Sequence, residues 1–121
     1  MTVVRVPSQL FRRGVELDSQ GLDERAWKPA DALKLIDILS SADVAVLGGD
    51  VYAIDNGEIE RTYENWYCDA KAGESSDDFV QRSCAEATQY ISQLQYSKMA
   101  NPLVTLVISE SLMESELGAF E

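Results

Sequence analysis

Apolar residues return along this chain with two different periods, and the switches between them outline its elements. Phe79, Val80, Ser83, Cys84, Ala87, Ile91 and Leu94 fall on one helical face, which predicts a long amphipathic helix reaching about Lys98. Ser75 or Ser76 can cap its start, and Asp77 and Asp78 suit the positive end of its dipole. A second helix is predicted from Pro29, whose φ suits a first helical turn, until Ser40, Ser41 and Asp43 end it. Its stripe is Leu33, Ile36 and Leu39 or Ser40, widened by Leu35 and Ile38, and Trp27 just ahead of it reads as a core plug. A shorter helix is predicted from Pro7-Ser8-Gln9-Leu10 to Glu16 or Leu17, with Gly14 as its weak point.

Between the second and third helices the period drops to two. Val44-Ala45-Val46-Leu47 reads as a buried strand. Gly48 and Gly49 follow, so Asp50-Val51-Tyr52-Ala53-Ile54 either continues that strand past a glycine bulge or begins another. Asp55-Asn56-Gly57 is a strong hairpin signal, because Asn and Gly tolerate the positive φ of tight turns. The returning strand, Glu58 to Cys68, alternates. Glu58, Glu60, Thr62, Glu64, Trp66 and Cys68 take one side; Ile59, Arg61, Tyr63, Asn65 and Tyr67 take the other. Leu103-Val104-Thr105-Leu106-Val107-Ile108 is the clearest buried strand. Leu112, Met113, Leu117 and Phe120 suggest a short terminal helix or a mobile tail. The order predicts one α+β domain over residues 1–121, its helices packed on a small mixed or antiparallel sheet.

Composition narrows the function classes. The 121 residues are 45% hydrophobic, enough for a core, and carry a net charge of -11. That charge argues against nucleic acid or an anionic membrane as partner and favours a basic protein. The excess acid lies beyond Lys34, since Arg5, Arg12, Arg13, Arg25, Lys28 and Lys34 balance the carboxylates before it. Histidine is absent, which removes the commonest general base and metal ligand. Cys68 and Cys84 are too few for a structural zinc site and read as buried free thiols. The chain shows no leader-like segment or membrane-spanning run, so a cytoplasmic location is expected.

Catalysis draws little support. Asp50 and Tyr52 could exchange protons, but no nucleophile or metal set accompanies them. Asp55-Asn56-Gly57-Glu58 lacks the spacing of a calcium loop, and Gly48-Gly49 lacks the rest of a phosphate loop. No enzyme activity, cofactor or metal is expected. A binding module fits better, with Tyr52, Tyr63, Trp66 and Tyr67 beside Glu58, Glu60 and Glu64.

The string Gly48-Gly49-Asp50-Val51-Tyr52 resembles a motif of the immunity protein 40 family of bacterial polymorphic toxin systems. The likeness runs from about Gly14 to Asp69 and includes Trp27, the helix after it, and Asn65-Trp66-Tyr67. It implies an α+β fold and an inhibitor that binds a cognate toxin stoichiometrically. On this reading the five motif residues are architectural. Glu58, Glu60, Glu64 and Trp66, with Glu110, Glu114 and Glu116, are the candidate toxin contacts. The competing class is a scaffold protein that self-associates through a sheet edge, and the sequence leaves monomer or homodimer open.

Overall fold

The computed structural model describes residues 3–17, 24–95, 97, 99, 101–109 and 111–114. Three helices stand in it: α1 (Ser8–Arg13), α2 (Pro29–Ser41) and α3 (Ser76–Gln95). α3 follows the sequence pattern closely. The Ser75 hydroxyl accepts from the Asp78 backbone N–H at 3.1 Å, which caps the first turn. Val80, Ser83, Cys84, Ala87, Ile91 and Leu94 form its buried face. α2 begins with Pro29 in its first turn, as expected. Its buried stripe is Ala32, Leu35, Ile36 and Leu39, with Leu33 and Ile38 only partly buried at the margins. The stripe is rotated from the predicted one toward Ala32 and Leu35.

The main sheet is antiparallel and centred on β4 (Val46–Asp55). β5 (Glu58–Tyr67) pairs along one edge of β4. β6 (Pro102–Val104) and β7 (Val107–Ile108) share the other edge, opposite Val51–Ala53 and Val46–Gly48 respectively. The segment from Leu103 to Ile108 is therefore two short strands rather than the single buried strand expected. The break falls at Thr105, which turns toward β4. Its N–H donates to the Asp50 carbonyl at 3.0 Å, and its hydroxyl accepts from the Asp50 N–H at 2.9 Å. β4 itself is one continuous strand through Gly48 and Gly49, so the bulge alternative of the sequence reading holds.

Two smaller pairings flank the sheet. β2 (Val15–Glu16) pairs antiparallel with β3 (Arg25–Ala26), and Trp27 continues β3 to bridge Val104 through two 2.8 Å backbone bonds. α1 accordingly stops at Arg13 instead of reaching Glu16. Gly14 lies against the Trp27 ring, and a Cβ there would stand 2.6 Å from it. β1 (Val3–Val6) runs parallel to β8 (Ser111–Glu114). This replaces the predicted helix or tail at Leu112 and Met113, while Leu117 and Phe120 lie outside the described residues. The partner of β8 is the far end of the chain, which no local pattern could announce.

One core lies between the helices and the near face of the sheet, built on residues such as Val6, Trp27, Leu35, Leu39, Val46, Val51, Ile91 and Val104. A second cluster, Leu17, Ala26, Tyr52 and Leu103, covers part of the opposite face. The architecture is α+β, with helices on a small antiparallel sheet.

Candidate protein-binding surface

The β4–β5 hairpin turns at Asn56 and Gly57, with φ of 53° and 79°, the pair of positive values that a two-residue turn of matching twist needs. Register then places Asp55 opposite Glu58 and Ala53 opposite Glu60. Further along, Asp50 faces Asn65, Gly49 faces Trp66, and Gly48 faces Tyr67. Between these two stretches β5 is longer than β4, so Thr62, Tyr63 and Glu64 together span Val51. The Thr62 hydroxyl closes this bulge by donating to the Val51 carbonyl at 2.7 Å and accepting from the Glu64 N–H at 3.1 Å. Tyr63 forms the apex with φ 65°, a conformation that costs a bulky L-residue about 1–2 kcal/mol. Its side chain is 84% exposed.

The bulge inserts an even number of residues, so the faces agree on both sides of it. Glu58, Glu60 and Trp66 oppose Asp55, Ala53 and Gly49 and share the helix side of the sheet. Near the tip that side is open, and Asp55, Glu58 and Glu60 are exposed. Glu64, in the bulge, is exposed as well. Near the base α3 covers it: the Trp66 indole is partly buried and stacks on Tyr90 with centroids 4.8 Å apart. The Trp66 Nε1–H is buried and has no hydrogen-bond partner among the described residues. On the opposite side, Tyr67 is 78% exposed, and Val107, opposite Gly48 from the other edge, is 44% exposed. The aromatic groups this strand offers to a partner are thus Tyr63 and Tyr67, while Trp66 packs inward. Alternation along β5 had already put those tyrosines on the side opposite the glutamates.

The remaining candidates separate in space. Glu114 lies on β8 opposite Val6, in a sheet distinct from the hairpin. Glu110 and Glu116 lie outside the described residues. In the five-residue motif, Gly48 has φ 152° and its Cβ position falls against the Trp66 carbonyl oxygen. A Cβ on Gly49 would collide with the Thr105 carbonyl oxygen and lie 2.6 Å from the Trp66 ring. Val51 and Tyr52 are buried on opposite faces, in the two different clusters. Burial, with Asp50 nearby as a second cause, raises the Tyr52 phenol above its usual range. Asp50 keeps an exposed side chain while its backbone is held by Thr105.

Charge is concentrated here. From Val46 to Asp69 the sequence carries Asp50, Asp55, Glu58, Glu60, Glu64 and Asp69 with Arg61 as the only Lys or Arg. All six carboxylates are exposed. Among the described residues, no group of His, Cys, Asp and Glu is arranged to hold a metal ion. No helix among them is long and apolar enough to cross a membrane.

The base of β5 is tied to α3 by Arg82. Its guanidinium donates to both Glu74 oxygens at 2.7 and 2.8 Å, to Glu86 at 2.7 Å and to the Asp69 carbonyl at 2.7 Å. The buried Cys68 thiol joins this group, donating to Glu86 at 3.1 Å. Burial, then the Glu86 contact, pushes the Cys68 thiol up, while Cys84 is raised mainly by burial. Both cysteines are free. Hydrogen bonds from Arg82 and the Lys71 N–H lower the Glu74 carboxyl to about 2 from 4.5. A lowered carboxylate contributes stability above its unfolded value, and that contribution fades as pH falls from about 4.5 toward about 2. Urea midpoints of the wild type should drop across that window. Glu74→Gln should be less stable at pH 7 and show a shallower acid slope, whereas equal slopes would rule out this linkage.

This small α+β domain carries an acidic, tyrosine-bearing hairpin, and exposed tyrosines and charges are groups that protein-binding surfaces use. The family model for Immunity protein 40 matches residues 16–108, and the chain belongs to that family. It is an immunity protein of toxin–immunity systems, and its family implies a cognate toxin as partner. The match extends well past Asp69, taking in α3, β6 and β7. No curated protein and no solved structure matches the chain.

Proposed function

We propose that this protein neutralises its cognate toxin in the cytoplasm by forming a stoichiometric complex, without turnover, and that the toxin surface it meets is basic. The observation that carries the reading is the run of exposed carboxylates along the β4–β5 hairpin, with Arg61 as the only Lys or Arg in that stretch of sequence. Like charges held this close repel one another, and a cationic partner relieves that repulsion. The same field speeds encounter with a basic protein and disfavours nucleic acid and anionic membranes. Glu58, Glu60 and Glu64 are the steering contacts on this reading, while the buried motif residues Gly48, Gly49, Val51 and Tyr52 shape the strand that carries them.

Self-association through the β5 edge is the competing use of the same element. The bulge at Thr62–Glu64 interrupts that edge, and its exposed glutamates place like charge along it, both of which blunt edge-to-edge contact.

The test is charge reversal at Glu58, Glu60 and Glu64 together. The triple Lys variant should keep its thermal midpoint, because all three side chains are exposed. Its association rate with the toxin at low salt should fall about tenfold or more, and protection of cells should weaken. A folded triple variant that protects as well as the wild type would remove the acidic hairpin from the mechanism.

A further inference from the structure

Among the described residues, the sheet face turned away from the helices is only half covered. At the hairpin end, Tyr52, Ile54 and Ile59 lie under Leu17, Ala26 and Val15 of the β2–β3 region. Toward the base of β5 that cover ends. Trp66 and Ile108 pack on the helix side, so their neighbours Tyr67 and Val107 point the other way, and both are exposed. These two side chains belong to a single cross-strand row, Tyr67–Gly48–Val107, whose middle position carries no side chain. The next row on this face pairs Asn65 with Asp50, both exposed.

We infer that this open half-face, centred on Tyr67 with Val107 and Asp50, is where the basic toxin surface seats; the inference rests on the toxin-binding reading above and assigns its anchor. Three features select a cationic protein side chain as the occupant. Tyr67 offers an aromatic face, which attracts a guanidinium or ammonium group. Val107 accepts the apolar stem of such a side chain. Asp50 supplies a carboxylate for its charged head, on a backbone that Thr105 holds from both sides. Arginine suits the combination better than lysine, because its planar group can stack and pair at once. The exposed tyrosine is also the residue type that dominates binding energy at protein interfaces. The hairpin carboxylates and this patch then have separate tasks. The hairpin carboxylates accelerate encounter, and the patch sets how long the complex lasts.

The experiment is surface plasmon resonance between the purified protein and the product of the adjacent gene, with wild type, Tyr67→Ala, Tyr67→Phe, Asp50→Asn and the exposed α3 control Gln89→Ala. Tyr67→Ala should raise the dissociation rate at least about tenfold with its association rate little changed. Tyr67→Phe, which keeps the ring, should stay near wild type. Asp50→Asn should weaken binding severalfold, and Gln89→Ala should do nothing. Circular dichroism and thermal midpoints verify folding, which Tyr67 truncation should spare given its exposure. Wild-type binding with an unchanged dissociation rate in Tyr67→Ala overturns the anchor and leaves the immunity reading intact. Absence of wild-type binding refutes the immunity reading and the anchor with it.

Discussion

Trp27→Ala is expected to lower the unfolding free energy by about 3–5 kcal/mol, the cost of truncating a buried tryptophan. Trp27 is 3% exposed and joins three parts of the chain. Its ring stands edge-on to Phe11 of α1 at 6.4 Å and lies over Gly14, and its indole N–H donates to the Leu10 carbonyl at 3.0 Å. Its backbone is held to Val104 of β6 by both its N–H and its carbonyl. Removing the ring leaves a void beside Phe11 and Gly14 and leaves the Leu10 carbonyl without that donor. Small domains have about 5–15 kcal/mol of stability, so this loss is a large share of the whole. Trp27→Phe refills most of the volume but not the hydrogen bond, and should cost less than the alanine change. Urea unfolding of the three proteins checks this order; equal midpoints would show that the tryptophan does not join the elements as described.

Gly49→Ala is expected to cost about 2–3 kcal/mol, at the upper end for overpacking by one methyl. The added carbon meets the Thr105 carbonyl, which is backbone, and the Trp66 ring, which is pinned by Tyr90. Neither can move without breaking something else. Shifting Thr105 loosens its two bonds to Asp50, and shifting Trp66 unstacks it from α3. Gly57→Ala is the comparison, since a Cβ there meets no atom within 4 Å and only its φ of 79° is unfavourable. That variant should lose about 1 kcal/mol. Denaturant midpoints for the pair separate collision from backbone strain. A Gly49→Ala protein as stable as Gly57→Ala would mean that the β4–β6 junction yields more readily than its bonding suggests.

These sites show which features a sequence can carry. α3 was legible because one side packs on apolar neighbours along its whole length, so its buried positions repeat at the helical period from Val80 to Leu94. The hairpin was legible because Asn56 and Gly57 answer a purely local backbone demand. β1 and β8 were not, since each is stabilised by a partner at the opposite end of the chain. The split of the Leu103–Ile108 segment was hidden for a similar reason: it depends on Asp50, which Thr105 meets only after folding. At the candidate surface, alternation separated Tyr67 from the glutamates correctly, but it could not show that Tyr90 of α3 covers Trp66. Nor could it reveal that the cluster formed with β2 and β3 does not include Tyr67, which stands exposed.

The central claim is that this chain protects a cell by binding, and co-purification with the product of the adjacent gene tests it most directly. The two proteins should elute as a complex of fixed stoichiometry, form it more slowly at high salt, and rescue cells in which that product is otherwise toxic. A well-folded protein that neither binds the product nor rescues the cells would contradict the account.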